Sequence, residues 1–213
     1  DVLADCDIAM VCVGTPSGVD GAHDMDFIAA VTRSIAEGLD PGRATKLTIA
    51  YRSTMRPGSI EQIVLPILRA HGGGSTEIEV VYNPEFLREG CAIDDFFHPP
   101  RIVIGTADGQ PSAAMVRLHE GIEAAHFVTR WREAELTKFV DNSWHATKVA
   151  FANEIGRVCQ QLGISAAQVH EIFTADQKLN ISAAYLRPGN AFGGSCLPKD
   201  VRALQHIAAD IGA

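Results

Sequence analysis

The sequence has no apolar run of 18 residues and no signal-peptide pattern, so a soluble, cytoplasmic protein is expected and a membrane partner is not. It has no CxxC pair. Its five cysteines, Cys6, Cys12, Cys91, Cys159 and Cys196, lack metal-type spacing, and an odd count points to reduced thiols rather than a disulfide framework. Eight histidines are scattered without an HExxH, so no metal site is expected. No basic run offsets the formal net charge of −8, which argues against a nucleic-acid partner. An anionic nucleotide is not excluded, because it needs only a local positive patch. Internal repeats and low-complexity tracts are also lacking. What remains is an ordinary soluble composition in 213 residues, enough for a full core or two small ones.

Residues 1–130 alternate short apolar runs with helical patterns. Strands are predicted at Ile8–Val13, Leu47–Tyr51, Glu79–Tyr82, Arg101–Gly105 and His126–Thr129, and helices at Phe27–Leu39, Ile60–His71 and Ser112–Glu123. Apolar strands alternating with helices imply an α/β fold with a largely parallel sheet covered on both faces. Three successive strands end in Gly14-Thr15-Pro16, Arg52-Ser53-Thr54 and Asn83-Pro84-Glu85. Ligands of such sheets sit beyond the carboxyl ends of the strands, so these small polar groups mark a site-forming edge. A dinucleotide-binding sheet should open with a strand and a GxGxxG turn. None occurs here, and the Rossmann-like sheet is expected to be incomplete, with an N-terminal βαβ portion left off.

From about Arg132 the pattern changes, and 131–213 is expected to be an all-α domain. Arg132–Leu162 has no proline and a single glycine, Gly156, which predicts one helix of roughly 45 Å at 1.5 Å per residue. Lys138, Asn142, His145 and Asn153 fall on one face of it, within about 80° at 100° per residue. A solvated face is one reading. The mixture of lysine, amides and imidazole also suits a polyhydroxylated, anionic ligand. Gly163 should end this helix and Ser165 cap the next, Ala166–Thr174.

The stretch Asn190–Asp200 gathers the chemistry. Gly193 and Gly194 permit close approach to the backbone, and Pro198 reads as the first position of a helix through Val201, Leu204 and Ile207. Cys196 then lies at or just before a helix N-terminus with Lys199 nearby, and both features favour a thiolate. A small buried cysteine beside a glycine turn is the alternative.

Four segments together resemble the nucleotide-sugar 6-dehydrogenases, the family of UDP-glucose and GDP-mannose dehydrogenases. They are Val-Gly-Thr-Pro at Val13, Asn-Pro-Glu-Phe-Leu-Arg-Glu-Gly at Asn83, Glu-Leu-Thr-Lys-Phe-Val-Asp-Asn at Glu135 and Phe-Gly-Gly-Ser-Cys-Leu-Pro-Lys-Asp at Phe192. The stretches at Trp144, Phe151, Lys178 and Arg187 look most like GDP-mannose 6-dehydrogenase, although Ala184 and Asn190 depart from its tyrosine and phenylalanine.

The resemblance implies a four-electron oxidation of a primary alcohol to a carboxylate with two NAD⁺. Cys196 would trap the aldehyde as a thiohemiacetal and carry the later thioester. Lys138 and Asn142 would donate to the oxyanion at C6, and Asp200 would hold a water or orient Lys138. Glu85 would act on the hydrolytic water, assisted by Thr54. Thr15, Thr54 and Lys199 match cofactor-contacting positions. Phe86, Leu87, Arg88, Glu89, His145, Asn153, Tyr185, Arg187 and Gly193 match positions that hold the nucleotide sugar. A homodimer through the long helix is implied, and the chain reads as a fragment inactive alone. The alternatives are a UDP-glucose or UDP-N-acetylhexosamine 6-dehydrogenase, a non-catalytic dimerisation module, and a two-electron hydroxyacid dehydrogenase that needs no cysteine.

Overall fold

A computed structural model describes residues 3–19, 21–72, 77–178 and 189–210. Two compact units divide the chain, Asp1–Lys138 and Phe139–Ala213. The first holds β1 (Ile8–Val11), α1 (Asp26–Glu37), β2 (Leu47–Tyr51), α2 (Leu65–His71), β3 (Ile78–Tyr82), α3 (Ala92–Phe97), β4 (Arg101–Thr106), α4 (Ala113–Leu118) and β5 (Ala125–Arg130). The long helix α5 (Trp131–Leu162) starts in this unit and continues into the second, which also holds α6 (Ala166–Ala175) and α7 (Leu197–Asp210).

The strands lie in sequence order in one sheet. β1, β2 and β3 are mutually parallel and β4 is parallel to β5. The joint between these groups is antiparallel, with Tyr82 opposite Gly105. The α/β sheet is therefore mostly parallel, as expected, but its last two strands run the other way.

Every residue of β2 is buried because both faces of the strand are covered. Leu47, Ile49 and Tyr51 pack with Ile28 and Ile35 of α1, Leu68 of α2 and Ala134 of α5. Ala50 faces the opposite side, with Val81, Ile102, Ile104 and Met115 of α4. Burying such an aliphatic side chain contributes about 1.5–3 kcal/mol.

Two local departures have chemical causes. The segment read as one helix from Ile60 begins as a π-helical turn, Ile60–Val64, before α2. Pro66 cannot donate a backbone hydrogen bond, and the widened turn accommodates that gap. The short helix α3 was not foreseen. Its six residues, Ala-Ile-Asp-Asp-Phe-Phe, are too few to display helical periodicity.

In the second unit Gly163, at φ +66°, ends α5. The Gly163 and Ile164 N–H groups return to the Gln160 and Cys159 carbonyls, satisfying two otherwise orphaned acceptors. Ser165 caps α6 by accepting from the Gln168 N–H at 3.3 Å. No helix among the described residues is long and apolar enough to cross a membrane.

Candidate active site

In the first unit the three polar strand ends meet as the sequence predicts. The Ser53 hydroxyl donates to the Val13 carbonyl at 2.6 Å. The Asn83 N–H donates to the Tyr51 carbonyl at 2.9 Å, and the Arg52 guanidinium donates to Asn83 Oδ1 at 2.5 Å. Thr15, Ser53 and Thr54 are all buried along this edge. Open space surrounds the Cα of Gly14, with nothing within 4 Å of where a Cβ would stand.

Glu85 follows β3 and uses both carboxylate oxygens. Oε2 accepts from the Leu87 N–H at 2.7 Å, and Oε1 lies 2.9 Å from Lys138 Nζ. Lys138 is only 5% exposed. Its ammonium also stands 5.7 Å from the centre of the Phe86 ring. A solvated-face reading of the polar stripe therefore fails for Lys138. Its charge is held inside the unit against Glu85. Arg88 forks onto Asp95 of α3, with guanidinium bonds of 2.6 and 3.0 Å, and Glu89 is exposed.

A small open cleft lies beside Glu85, lined by Arg52, Asn83, Phe86, Phe96, Arg101 and His119 among others. Arg101 stacks 4.2 Å from the Phe86 ring centre. His119 is held below the usual imidazole range, first by burial, and its Nδ1 bonds the Met115 carbonyl at 2.9 Å. The sequence places Arg101 at the start of a strand and marks neither Arg101 nor His119 for the site. Neither lies in a strand-end motif, and the reversed β4 is what brings Arg101 beside Phe86.

The second unit assembles the other half of the set. Cys196 is the N-cap of α7, since its carbonyl accepts the Asp200 N–H at 2.9 Å. Leu197, rather than Pro198, is the first helical residue. Gly194 takes φ +80°, a left-handed conformation open to glycine, just before the exposed Cys196. Asp200 is wholly buried one turn into the helix. Its Oδ2 accepts from the buried Asn142 amide, and its Oδ1 lies 3.1 Å from Lys199 Nζ. His145 sits 3.9 Å from Asp141.

Asn153 spends both ends of its amide on the backbone, accepting from Gly189 N–H at 2.9 Å and donating to the Asn190 carbonyl at 3.1 Å. Gly193 is exposed in the loop ahead of Cys196. Tyr185 and Arg187 lie outside the described residues.

Comparison with known proteins decides the family. Residues 1–123 match the NAD binding domain of the UDP-glucose/GDP-mannose dehydrogenase family, and residues 132–213 match its central domain. The chain belongs to that family. A GDP-mannose 6-dehydrogenase of Pseudomonas savastanoi pv. phaseolicola is 44% identical over 213 residues, covering 99% of this chain and 48% of the relative. A UDP-glucose dehydrogenase from Pyrobaculum islandicum superposes with a TM-score of 0.91 at 35% identity, covering 99% of this chain and 48% of that one. A ternary complex of GDP-mannose dehydrogenase from Pseudomonas aeruginosa gives 0.79 at 39%, with the same coverage. The chain thus spans about half the length of the relatives it matches. The family segments at Val13 and Asn83 fall within the first matched range, and those at Glu135 and Phe192 within the second.

Proposed function

We propose that this chain is the part of a nucleotide-sugar 6-dehydrogenase that bears the thiol nucleophile and one side of the NAD site. The intact protein would oxidise the C6 alcohol of GDP-mannose to a carboxylate. The observation that carries this reading is Cys196 at the N-cap of α7, with Asp200 one turn inward tied to Asn142.

NAD⁺, when bound, supplies the hydride acceptor for each of two oxidations. The small hydroxylated strand ends and the open space at Gly14 fit a dinucleotide, with Thr15, Thr54 and Lys199 as the residues that would hold it. The first oxidation removes a hydride from C6 and a proton from its hydroxyl, leaving an aldehyde. Cys196 Sγ adds to that carbon and the oxygen takes up a proton, giving a thiohemiacetal. Loss of a second hydride and the hydroxyl proton gives a thioester. Water then adds and the C–S bond breaks, releasing carboxylate and free thiol.

At each tetrahedral stage charge develops on the C6 oxygen, where the Lys138 ammonium and the Asn142 amide would donate. Glu85, already bonded to Lys138, would take the proton of the hydrolytic water, with Thr54 orienting that water. Phe86, Leu87, Arg88, Glu89, His145, Tyr185, Arg187 and Gly193 would contact the nucleotide sugar. For Asn153 the two backbone bonds favour holding the loop at Gly189–Asn190, which leads to Gly193 and Cys196.

In this reading 1–130 serves the cofactor and 131–213 the nucleophile and a homodimer contact. Val140, Trp144, Phe151, Val158 and Leu162 are exposed apolar residues within about 40° on one face of α5, opposite Asn142 and His145. A second copy of the helix would cover that face. The protein would work in the cytoplasm.

A UDP-sugar substrate is the second reading, favoured by the higher TM-score to the UDP-glucose dehydrogenase. Turnover of the intact protein with GDP-mannose, UDP-glucose and UDP-N-acetylhexosamines, counting NADH per sugar, tests both. Two NADH with GDP-mannose are expected. One NADH per sugar with every substrate would replace this proposal with a two-electron dehydrogenase.

A further inference from the structure

The most deeply buried carboxylate of the first unit has no part in the scheme above. Glu135, in the first turns of α5, is 0% exposed. Its Oε2 accepts from the Gly58 N–H at 2.5 Å and its Oε1 from the Ile60 N–H at 3.0 Å. These N–H groups stand where the π-helical turn begins, and N–H groups at a helix start have no partner within the helix. A carboxylate presents two acceptor oxygens at once, whereas a glutamine presents one acceptor and a donor that would face another donor. Burial, first, and the nearby Glu61 carboxylate disfavour a charge here, pushing the Glu135 carboxyl up to about 7 against the pull of the two N–H bonds and of Arg132. A site that keeps a buried acid under that opposition has a use for both oxygens.

Glu135 also belongs to a closed circuit of contacts. Three residues on, and on the same side of α5, Lys138 meets Glu85 after β3. Glu85 is three residues from Tyr82, whose hydroxyl accepts from the Met55 N–H at 3.4 Å. Met55 follows Thr54 in the loop that ends at Gly58 and the π turn. Outside the circuit, Arg132 bonds Glu61 of the same turn, with Nε to Oε2 at 2.7 Å. The Glu135 link joins the Thr54 loop to α5 through the loop's own backbone N–H groups.

We propose that Glu135 is a positioning residue for the oxidation, clamping the Thr54-bearing loop to the helix turn that carries Lys138 so that Thr54, Lys138 and Glu85 keep one register. This rests on the dehydrogenase reading above. Loss of the clamp lets the loop move relative to Lys138 while the Cys196 region is untouched.

The experiment compares wild type, Glu135→Gln, Glu135→Asp and Arg132→Gln in the intact protein. It reads kcat and KM per site titrated by Cys196 alkylation, and amide exchange at Gly58 and Ile60. Glu135→Gln should lower kcat at least tenfold with KM for the sugar nucleotide within about threefold and Cys196 alkylation unchanged. Gly58 and Ile60 should lose protection while β2 and β3 keep theirs. Glu135→Asp, whose shorter chain withdraws both oxygens, should fall between, and Arg132→Gln should stay within twofold of wild type. Folded Glu135→Gln or Glu135→Asp with wild-type kcat per titrated site overturns the proposal. Failure of both to fold overturns it too, leaving a purely structural clamp. A wild-type protein that forms no carboxylate defeats the dehydrogenase reading instead, and amide exchange still reports on the clamp.

Discussion

Asp200 gives the sharpest perturbation, because its two oxygens do separable jobs. One holds the Asn142 amide and the other lies 3.1 Å from the Lys199 ammonium. Asp200→Asn keeps the size and an oxygen that can still accept from Asn142, but removes the charge. At an effective dielectric of 20 the gross attraction across that distance is about 5 kcal/mol. Lys199 retains about a fifth of its exposure and recovers hydration when the charge is lost, so the net cost should be about 1–2 kcal/mol. Asp200→Ala also strands the buried Asn142 amide, which adds about 1–3 kcal/mol. The alanine variant should therefore unfold about 2 kcal/mol more easily than the asparagine variant, read from urea midpoints at equal m. If Asn142 donates to the C6 oxyanion, its misorientation should lower kcat about a hundredfold in Asp200→Ala and about tenfold or less in Asp200→Asn. Equal stabilities and equal kcat in the two variants would refute the argument, because the Asp200–Asn142 bond would then contribute nothing.

Three further outcomes follow from the packing and charges. Gly105→Ala places a Cβ 2.6 Å from the Ala134 Cβ, where β4 meets α5, so thermal unfolding should show a loss of about 1–3 kcal/mol. Glu135 makes stability fall as pH rises. Its folded carboxyl holds a proton up to about 7 and its unfolded one only to about 4.5, so the favourable term is full below about 4.5 and is lost by about 7. Between pH 5 and 8 wild type should lose about 2–3 kcal/mol more than Glu135→Gln in urea titrations, with Glu61 and Arg132 as the charges acting on the group. Trp144→Glu together with Val140→Glu puts two charges into the exposed apolar face of α5, and sedimentation should show a dimer becoming a monomer.

What the sequence revealed and what it hid divide along a physical line. Leu47–Tyr51 and the Ser165 cap were legible because a short apolar run and a capping hydroxyl are local signals. Cys196 at a helix start was legible because Gly194 and Pro198 mark the boundary on either side. The reversed direction of β4 was not, since one pairing between Tyr82 and Gly105 sets it and neither residue advertises a partner. Glu135 opens the segment Glu-Leu-Thr-Lys-Phe-Val-Asp-Asn, which resembles the family. Its bonds to Gly58 and Ile60 span more than 70 residues of chain, beyond the reach of any periodicity. The pairing of Lys138 with Glu85 was hidden for the same reason, although the chemistry of each residue is legible by itself.

In the proposed oxidation the sulfur of Cys196 captures the half-oxidised sugar. The most direct measurement of that capture is the NADH and carboxylate formed per GDP-mannose by the intact wild-type protein and by Cys196→Ala. Wild type should give two NADH and one carboxylate per sugar, and the variant no carboxylate. Carboxylate formed at an undiminished rate by Cys196→Ala would contradict the capture.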